Sequence, residues 1–386
     1  MIDVVVVGGG PVGLAAAIAA RLHGLSVRLV ERQRPPIDKA CGEGLMPAGV
    51  RALAVLGVLP PPRSLPFRGI RYLSDGVVAE ADFPDGPGRG IRRTELHGAL
   101  GRRAEEVGVE LCWGTRVESA RAGEVCTAAA TWPCRFVVGA DGLRSALRRT
   151  AGLGAGSAPA ATADTREQRW NPRARFGVSR HLRLAPWSER VEVTFGDGAE
   201  AYVTPLAADE VGVALLWSGG KGSFDDLLTT RFPADLAQRL AAGTLLGRGH
   251  GAGPLLQPTR GAVAGERRIA LVGDAAGYVD ALTGEGLTLG FEGALALGEA
   301  LAAGDLALYA RRLARLAALP NGLTRLLLVA ARRPWLRRRL VAALAADPAL
   351  FGNFLGLLGD RRPLIELRAW RALRLCGRLV WPVAVA

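Results

Sequence analysis

Four consecutive valines, Val4-Val5-Val6-Val7, run directly into Gly8-Gly9-Gly10-Pro11-Val12-Gly13. No other segment narrows so far what the chain can fold into. A short β-branched run bounded by glycine predicts a strand buried on both faces, as in a parallel sheet. The alanine-rich stretch 14–23 predicts a helix with Gly24 as its C-cap, and 26–31 predicts a second strand ending in Glu31. The glycines fit G-x-G-x-x-G between strand and helix. Gly8 permits the tight turn, Gly10 lets the backbone approach a pyrophosphate, and Gly13 allows close helix–strand packing, with Pro11 opening the helix. The helix N-terminus then offers unpaired N–H groups to the phosphates. Glu31 follows Gly13 by 18 residues; an acid ~20 residues on is expected to meet ribose hydroxyls. A glycine-rich turn with no ligand is the competing reading. Strand, helix and acid in register favour the nucleotide.

At 386 residues, 49% hydrophobic and 22% charged, the chain has room for two domains or one composite domain and the composition of a soluble globular protein. Its five cysteines (Cys41, Cys112, Cys126, Cys134, Cys376) form no C-x-x-C pair. That pattern argues against a zinc site and a disulfide framework, and predicts a reducing cytoplasm. The net charge of +13 comes almost wholly from arginine, since Lys39 and Lys221 are the only lysines. Its spread along the chain argues against a nucleic-acid partner. The first apolar run has no basic segment before it and reads as a strand, not a signal peptide. No stretch reaches the ~18 uninterrupted apolar residues of a membrane span.

The predicted fold class is α/β, an α+β composite with three parts. Residues 1–60, 90–160 and 261–300 form a Rossmann-like nucleotide-binding domain. Residues 61–89 and 161–260, rich in alternating apolar and polar positions, form an inserted, mostly antiparallel substrate domain with few helices. Residues 301–386 are helical, interrupted at Pro320, Pro334, Pro348 and Pro363. The Ala/Gly/Ser/Pro-rich stretch 151–163 reads as a flexible connection.

Two further motifs sit where strands should end. Gly139-Ala140-Asp141-Gly142 follows the strand expected at 135–139, and Gly273-Asp274-Ala275-Ala276 follows another at 269–272. Carboxylates at the carboxyl ends of strands lie where open α/β sheets bind ligands. Gly284-Glu285-Gly286-Leu287 opens a predicted helix whose N-terminus favours negative charge. An Asp-Gly turn and a glycine cap are the plainer readings of each motif alone.

Taken together, Gly8–Gly13, Gly139–Gly142 and Gly273-Asp274 resemble the para-hydroxybenzoate-hydroxylase-like flavoproteins over roughly residues 1–300. That group includes aromatic hydroxylases, epoxidases, flavin halogenases and geranylgeranyl reductases. The resemblance implies FAD held by Gly8, Gly10, Pro11, Gly13, Glu31, Arg32, Arg93, Val117, Asp141, Gly142, Gly273, Asp274, Gly284, Gly286 and Leu287, with NAD(P)H as reductant. Cys41-Gly42-Glu43-Gly44, Gly277 and Gly284-Glu285-Gly286 look most similar to the geranylgeranyl-reductase branch. The aromatic hydroxylases usually carry a histidine at the position of Gly277 and a later Gly-Gln-Gly. Asp38 stands where the reductases have proline.

The resemblance implies two competing reactions. A monooxygenase would hydroxylate or epoxidise a hydrophobic small molecule through a C4a-hydroperoxyflavin, consuming molecular oxygen. A reductase would deliver hydride to an isoprenoid double bond, with a nearby acid supplying the proton. Cys41 and Glu43 are the candidate acids, against the plainer readings of an apolar filler and a solvated loop charge. His97 reads as structural, and His181 carries no clear role. Met46, Phe195, Tyr202 and Trp217 are candidate substrate contacts, alongside Trp170 and Phe176. Monooxygenation is the preferred expectation, and no metal is expected. The arginine-flanked apolar helices after residue 320 also suit peripheral contact with a membrane, although packing on the main body is the preferred reading.

Overall fold

The computed structural model describes residues 1–154, 174–219 and 222–362. The valine run forms the strand Ile2–Val7, paired in parallel with Val27–Glu31 on one side and Thr131–Gly139 on the other. Glu110–Trp113 and Ile269–Leu271 continue the parallel layer outward, within an eight-stranded sheet. Val4, Val5 and Val6 have no exposed surface. Helices cover both faces, so no polar side chain is needed on either.

The helix Pro11–Leu22 crosses the helix Gly286–Ala303 at short range. A Cβ on Gly290 would lie 2.4 Å from Val12, and one on Gly298 would lie 2.9 Å from Ala19. Glycines eight apart therefore face an alanine-rich surface, and the two backbones approach closely. This contact brings the start of Gly286–Ala303 to the Gly8–Gly13 turn from more than 270 residues away.

The second sheet has seven strands, ordered Thr244–Ala252, Arg175–Arg183, Glu210–Ser218, Ala199–Ala207, Arg190–Phe195, Gly69–Ser74 and Val77–Asp82. Residues opposite one another share a face, and the face alternates along each strand. The face bearing Leu182, Val203, Val213 and Trp217 is covered by the helices Phe224–Arg231 and Ala234–Ala241, which the sequence reading did not anticipate. The opposite face bears Arg175, Ser179, His181, Glu200, Tyr202 and Thr204, continuing through Val193 and Tyr72.

The helices Leu306–Ala331, Pro334–Ala345 and Pro348–Gly359 complete the described chain. Pro334 and Pro348 open helices, where the missing N–H costs nothing. Pro320, expected as a break, lies buried inside the long helix instead. Its carbonyl accepts from the Thr324 hydroxyl at 2.8 Å. The buried Tyr309 donates to Leu271 O at 2.6 Å and fixes this helix to the parallel sheet. The connection expected at 151–163 lies mostly outside the described residues, as do Trp170, Pro363 and Cys376.

Candidate flavin and substrate site

The N-terminal turn leaves little freedom at two positions. Gly8 has φ +112°, and a Cβ there would lie 2.4 Å from Ala140 O. A Cβ on Gly13 would lie 1.9 Å from Gly8 O. Gly10 differs: it is the N-cap of Pro11–Leu22, and a Cβ there would meet nothing nearer than Arg93 Nη2 at 3.9 Å. The free N–H groups of the helix thus open onto a cleft. Glu31 is buried, and its Oε2 accepts from Gly9 N while Oε1 accepts from Gln33 N, both at 2.9 Å. The carboxylate expected to meet a ribose therefore also shapes the turn, with lone pairs left on both oxygens. Arg32 beside it is exposed. His97 is buried with Nε2 2.8 Å from Gly9 O, so that nitrogen carries the proton; burial holds the ring's pKa down and the imidazole neutral. Its structural reading stands.

Across the cleft, Gly273 and Asp274 follow the strand Ile269–Leu271. Burial raises the Asp274 pKa, and Arg93 and Lys39 draw it back. Lys39 is in turn held below its usual pKa by burial and by Arg93. Asp274, Arg93 and Lys39 thus face one cleft, and Lys39 was not singled out from sequence. Asp141 uses Oδ2 to accept from Ala146 N and Leu147 N at 2.7 and 3.1 Å, capping the helix Ala146–Thr150. Gly142 beside it has φ +78° and open space around its Cα. Val117 is half-buried in the strand Val117–Arg121, packed against the core of the parallel sheet.

Arg93 Nε, Asp141 Oδ1 and Thr288 Oγ1 are buried and have no hydrogen-bond partner among the described residues. Orphaned buried polar atoms are rare in folded proteins. An unpaired guanidinium donor, unpaired acceptors and an open helix N-terminus fit FAD, with its pyrophosphate and hydroxyl-bearing chain.

The far end of the cleft is a loop held at four points. Asp280 pairs with Arg175 at 2.8 Å, and Arg175 pairs with Glu200 at 2.7 Å, all three side chains being at most 4% exposed. Burial raises both carboxyl pKa values, and the two carboxylates push that of Arg175 upward. Tyr202 donates to Leu282 O at 2.8 Å, and Thr283 meets the Thr324 hydroxyl at 3.0 Å. Glu285 pairs with Arg361, and burial pushes its carboxyl up to about 7. These ties set Gly284 and Gly286 at the head of Gly286–Ala303, between Met46 and Tyr278. Leu287 packs onto the core of the parallel sheet.

Glu43 is neither solvated nor free. It sits at φ +58°, 4% exposed, with Oε1 accepting from Arg93 N at 2.7 Å and Oε2 2.7 Å from His181 Nε2. It caps the helix Arg93–Glu106 and joins that helix to the second sheet, giving His181 a partner the sequence did not reveal. Cys41 is half-buried two residues away, and its sulfur accepts from Glu43 N at 3.4 Å. Burial raises the Cys41 pKa, although Arg93 opposes this, so the thiol is protonated at neutral pH. We expect iodoacetamide to label Cys41 more slowly at pH 7 than an unperturbed thiol, as read by peptide mapping. Rapid labelling at that pH would show a thiolate.

Of the expected substrate contacts, Phe195 and Tyr202 line a small, mostly apolar cavity of about 20 Å³, with Tyr72, Val193, Leu282 and Leu327. Met46 packs in the same apolar cluster. Trp217 does not belong there. It lies 5.8 Å from Phe176 on the helix-covered face, because it stands opposite Ala199, one residue out of phase with Glu200 and Tyr202.

A parallel-sheet nucleotide cleft joined to an antiparallel sheet over an apolar cavity defines an FAD-dependent oxidoreductase. Residues 1–175 match the FAD binding domain family. The chain is 32% identical over 341 residues to menaquinone reductase of Mycobacterium tuberculosis, covering 79% of this chain and 78% of that one. It is 28% identical over 332 residues to rifampicin monooxygenase of Rhodococcus hoagii, covering 78% and 64%. A flavoprotein/dehydrogenase from Cytophaga hutchinsonii superposes with a TM-score of 0.78 at 16% identity, covering 97% and 99%. The chain belongs to the para-hydroxybenzoate-hydroxylase-like family of FAD-dependent monooxygenases and related oxidoreductases.

Proposed function

We propose that the chain is an FAD-dependent monooxygenase that hydroxylates or epoxidises a hydrophobic small molecule, with NAD(P)H as reductant and molecular oxygen as co-substrate. The observation that carries this reading is the small, mostly apolar cavity against Tyr202 and Leu282, beside the loop that leads into Gly284-Glu285-Gly286. Oxygen transfer needs a site from which water is excluded. Gly8, Gly10, Pro11 and Gly13 would hold the pyrophosphate, and Glu31 the ribose. Asp274, Arg93 and Asp141-Gly142 would hold the remainder of the chain, and Gly284, Gly286 and Leu287 would set the helix N-terminus against the ring edge. Bound FAD supplies the two-electron chemistry. The protein's own residues orient it, exclude water and place the substrate.

Reduction of an isoprenoid double bond is the second reading. It is favoured by the extended match to a menaquinone reductase, and by a protonated Cys41 thiol beside Glu43 that can donate a proton. Oxygen and NAD(P)H consumption by the FAD-loaded protein separates the two, with a polycyclic aromatic and an isoprenoid compound offered as substrates. Monooxygenation predicts that each NAD(P)H oxidised consumes one oxygen without release of hydrogen peroxide. Substrate turnover that continues under anaerobic conditions would establish the reductase instead.

A further inference from the structure

Residues 306–346 contain nine arginines and no aspartate or glutamate. On the helix Leu306–Ala331 the exposed positions fall on a single stripe: Arg311, Ala314, Arg315, Ala318, Gly322, Arg325, Leu326 and Val329. The spacing of three and four places them one above another on one helix face. Leu326 is 64% exposed, Val329 44%, and Trp335, at the start of the next helix, 55%. Arg315, Arg325 and Arg333 are exposed and form no ion pair or side-chain hydrogen bond among the described residues. A soluble protein has no reason to gather large apolar side chains among unpaired arginines on one face. The helix is apolar and long enough to cross a membrane by composition, but Tyr309 and Leu306, both fully buried, hold its first turns on the protein body.

The inner faces of the same two helices roof the apolar cavity, through Leu327, Ala330, Ala331, Leu340 and Val341. One helix thickness therefore separates the cavity from the arginine-rich face, and the break between the helices falls at Arg332-Arg333.

We propose that this face docks on an anionic lipid surface, with Leu326, Val329 and Trp335 in the interface and the arginines on lipid phosphates. The substrate then enters the cavity from the bilayer between the two helices. The entry route rests on the hydrophobic substrate of the proposed function, whereas the docking does not. Charge complementarity selects the occupant: the exposed Arg315, Arg325 and Arg333, with no acidic partner among the described residues, attract anionic headgroups, and an exposed tryptophan beside leucine and valine suits the interfacial layer.

The test uses the full FAD-loaded chain with phosphatidylcholine vesicles, with or without phosphatidylglycerol, read by flotation. The proposal expects binding to the phosphatidylglycerol vesicles, weakened roughly tenfold by raised salt or by removal of the anionic lipid. Leu326→Asp with Trp335→Ser should abolish flotation, as should Arg325→Glu with Arg333→Glu, a surface change that leaves the packing intact. Flavin content and NAD(P)H oxidation in detergent should stay unchanged in both variants. Three outcomes would overturn the proposal: no flotation with anionic vesicles, flotation unaffected by both variants, or a dimer in sedimentation that the Leu326 variant dissociates. Binding gained only on removal of residues 363–386 would likewise overturn it, by making that segment the native occupant of the face. Loss of flotation with intact turnover leaves the proposed function untouched, and the reverse leaves the docking untouched.

Discussion

Gly13→Ala is expected to yield a protein that has lost both FAD and much of its stability, whereas Gly10→Ala loses FAD alone. The two glycines belong to one motif but meet different surroundings. A Cβ on Gly13 would stand 1.9 Å from the carbonyl oxygen of Gly8, inside the contact between the helix Pro11–Leu22 and the turn it leaves. Neither neighbour is a flexible side chain end, since Gly8 itself is fixed against Ala140. Overpacking costs about 1–3 kcal/mol in ordinary cores. An overlap with backbone belongs at or above the top of that range, a large share of the ~5–15 kcal/mol that holds a domain folded. Gly10 has φ −69° and ψ 173°, which alanine adopts freely, and its Cβ would project into the open cleft. Thermal unfolding of the two apoproteins, followed by FAD titration, reads both effects. A Gly10→Ala variant that binds FAD with unchanged affinity would show that the cleft at this helix is not the pyrophosphate site.

Arg175→Met is expected to unfold the substrate side of the site. It leaves Glu200 and Asp280 buried, with no cation between them, in surroundings that already hold both carboxyl pKa values up. Removing one partner of a buried ion pair costs about 3–5 kcal/mol. At ~2–4 °C per kcal/mol this lowers the melting temperature by roughly 10 °C. The carboxylates lose less. Glu200→Gln removes one of two negative charges and leaves Arg175 paired with Asp280, so its cost falls well below that of Arg175→Met. The destabilisation of Arg175→Met should also grow as pH rises, because protonated carboxyls need no counter-charge: a group whose pKa is raised by folding contributes most at low pH and loses that contribution as pH climbs through the folded value. Melting temperatures of both variants across the acid-to-neutral range check the ordering. Equal losses for the two would mean that Arg175 is not the common partner.

Much of the nucleotide cleft was legible from sequence because its signals are local. The valine run, the glycine spacing and the carboxylate at the end of Val27–Glu31 each lie within one strand–turn–helix unit. Asp274 was found after its strand for the same reason, whereas Arg93 came only with the family resemblance. Lys39 gave no such signal, since it lies in an irregular loop and comes within electrostatic range of Arg93 and Asp274 only in the folded chain. The long helix Leu306–Ala331 defeated a local rule: Pro320 should have ended it, but the helix continues through it, and the missing N–H removes only the one bond to the Leu316 carbonyl.

The substrate side was largely illegible, for a definite reason. Arg175, Glu200 and Asp280 are 25 and 105 residues apart in the pairs they form, and Glu43 and His181 are 138 apart. A charged residue in a strand reads as solvent-facing until the opposing surface is known. The one available hint was that Arg175, Ser179 and His181 alternate with apolar residues, which marks a polar face without saying what covers it. Trp217 shows the same limit from the other side: its size suggested a pocket wall, and a register of one residue sends it to the opposite face.

By itself, then, the sequence determined the parallel nucleotide cleft and the flavin family, because backbone geometry imposes periods that a side-chain pattern must obey. Only the tertiary structure decided which face of the second sheet meets the flavin loop, which carboxylates share Arg175, and what Glu43 holds. Those outcomes depend on elements meeting across 25 to 138 residues, and contact of that kind leaves no mark on the neighbouring sequence.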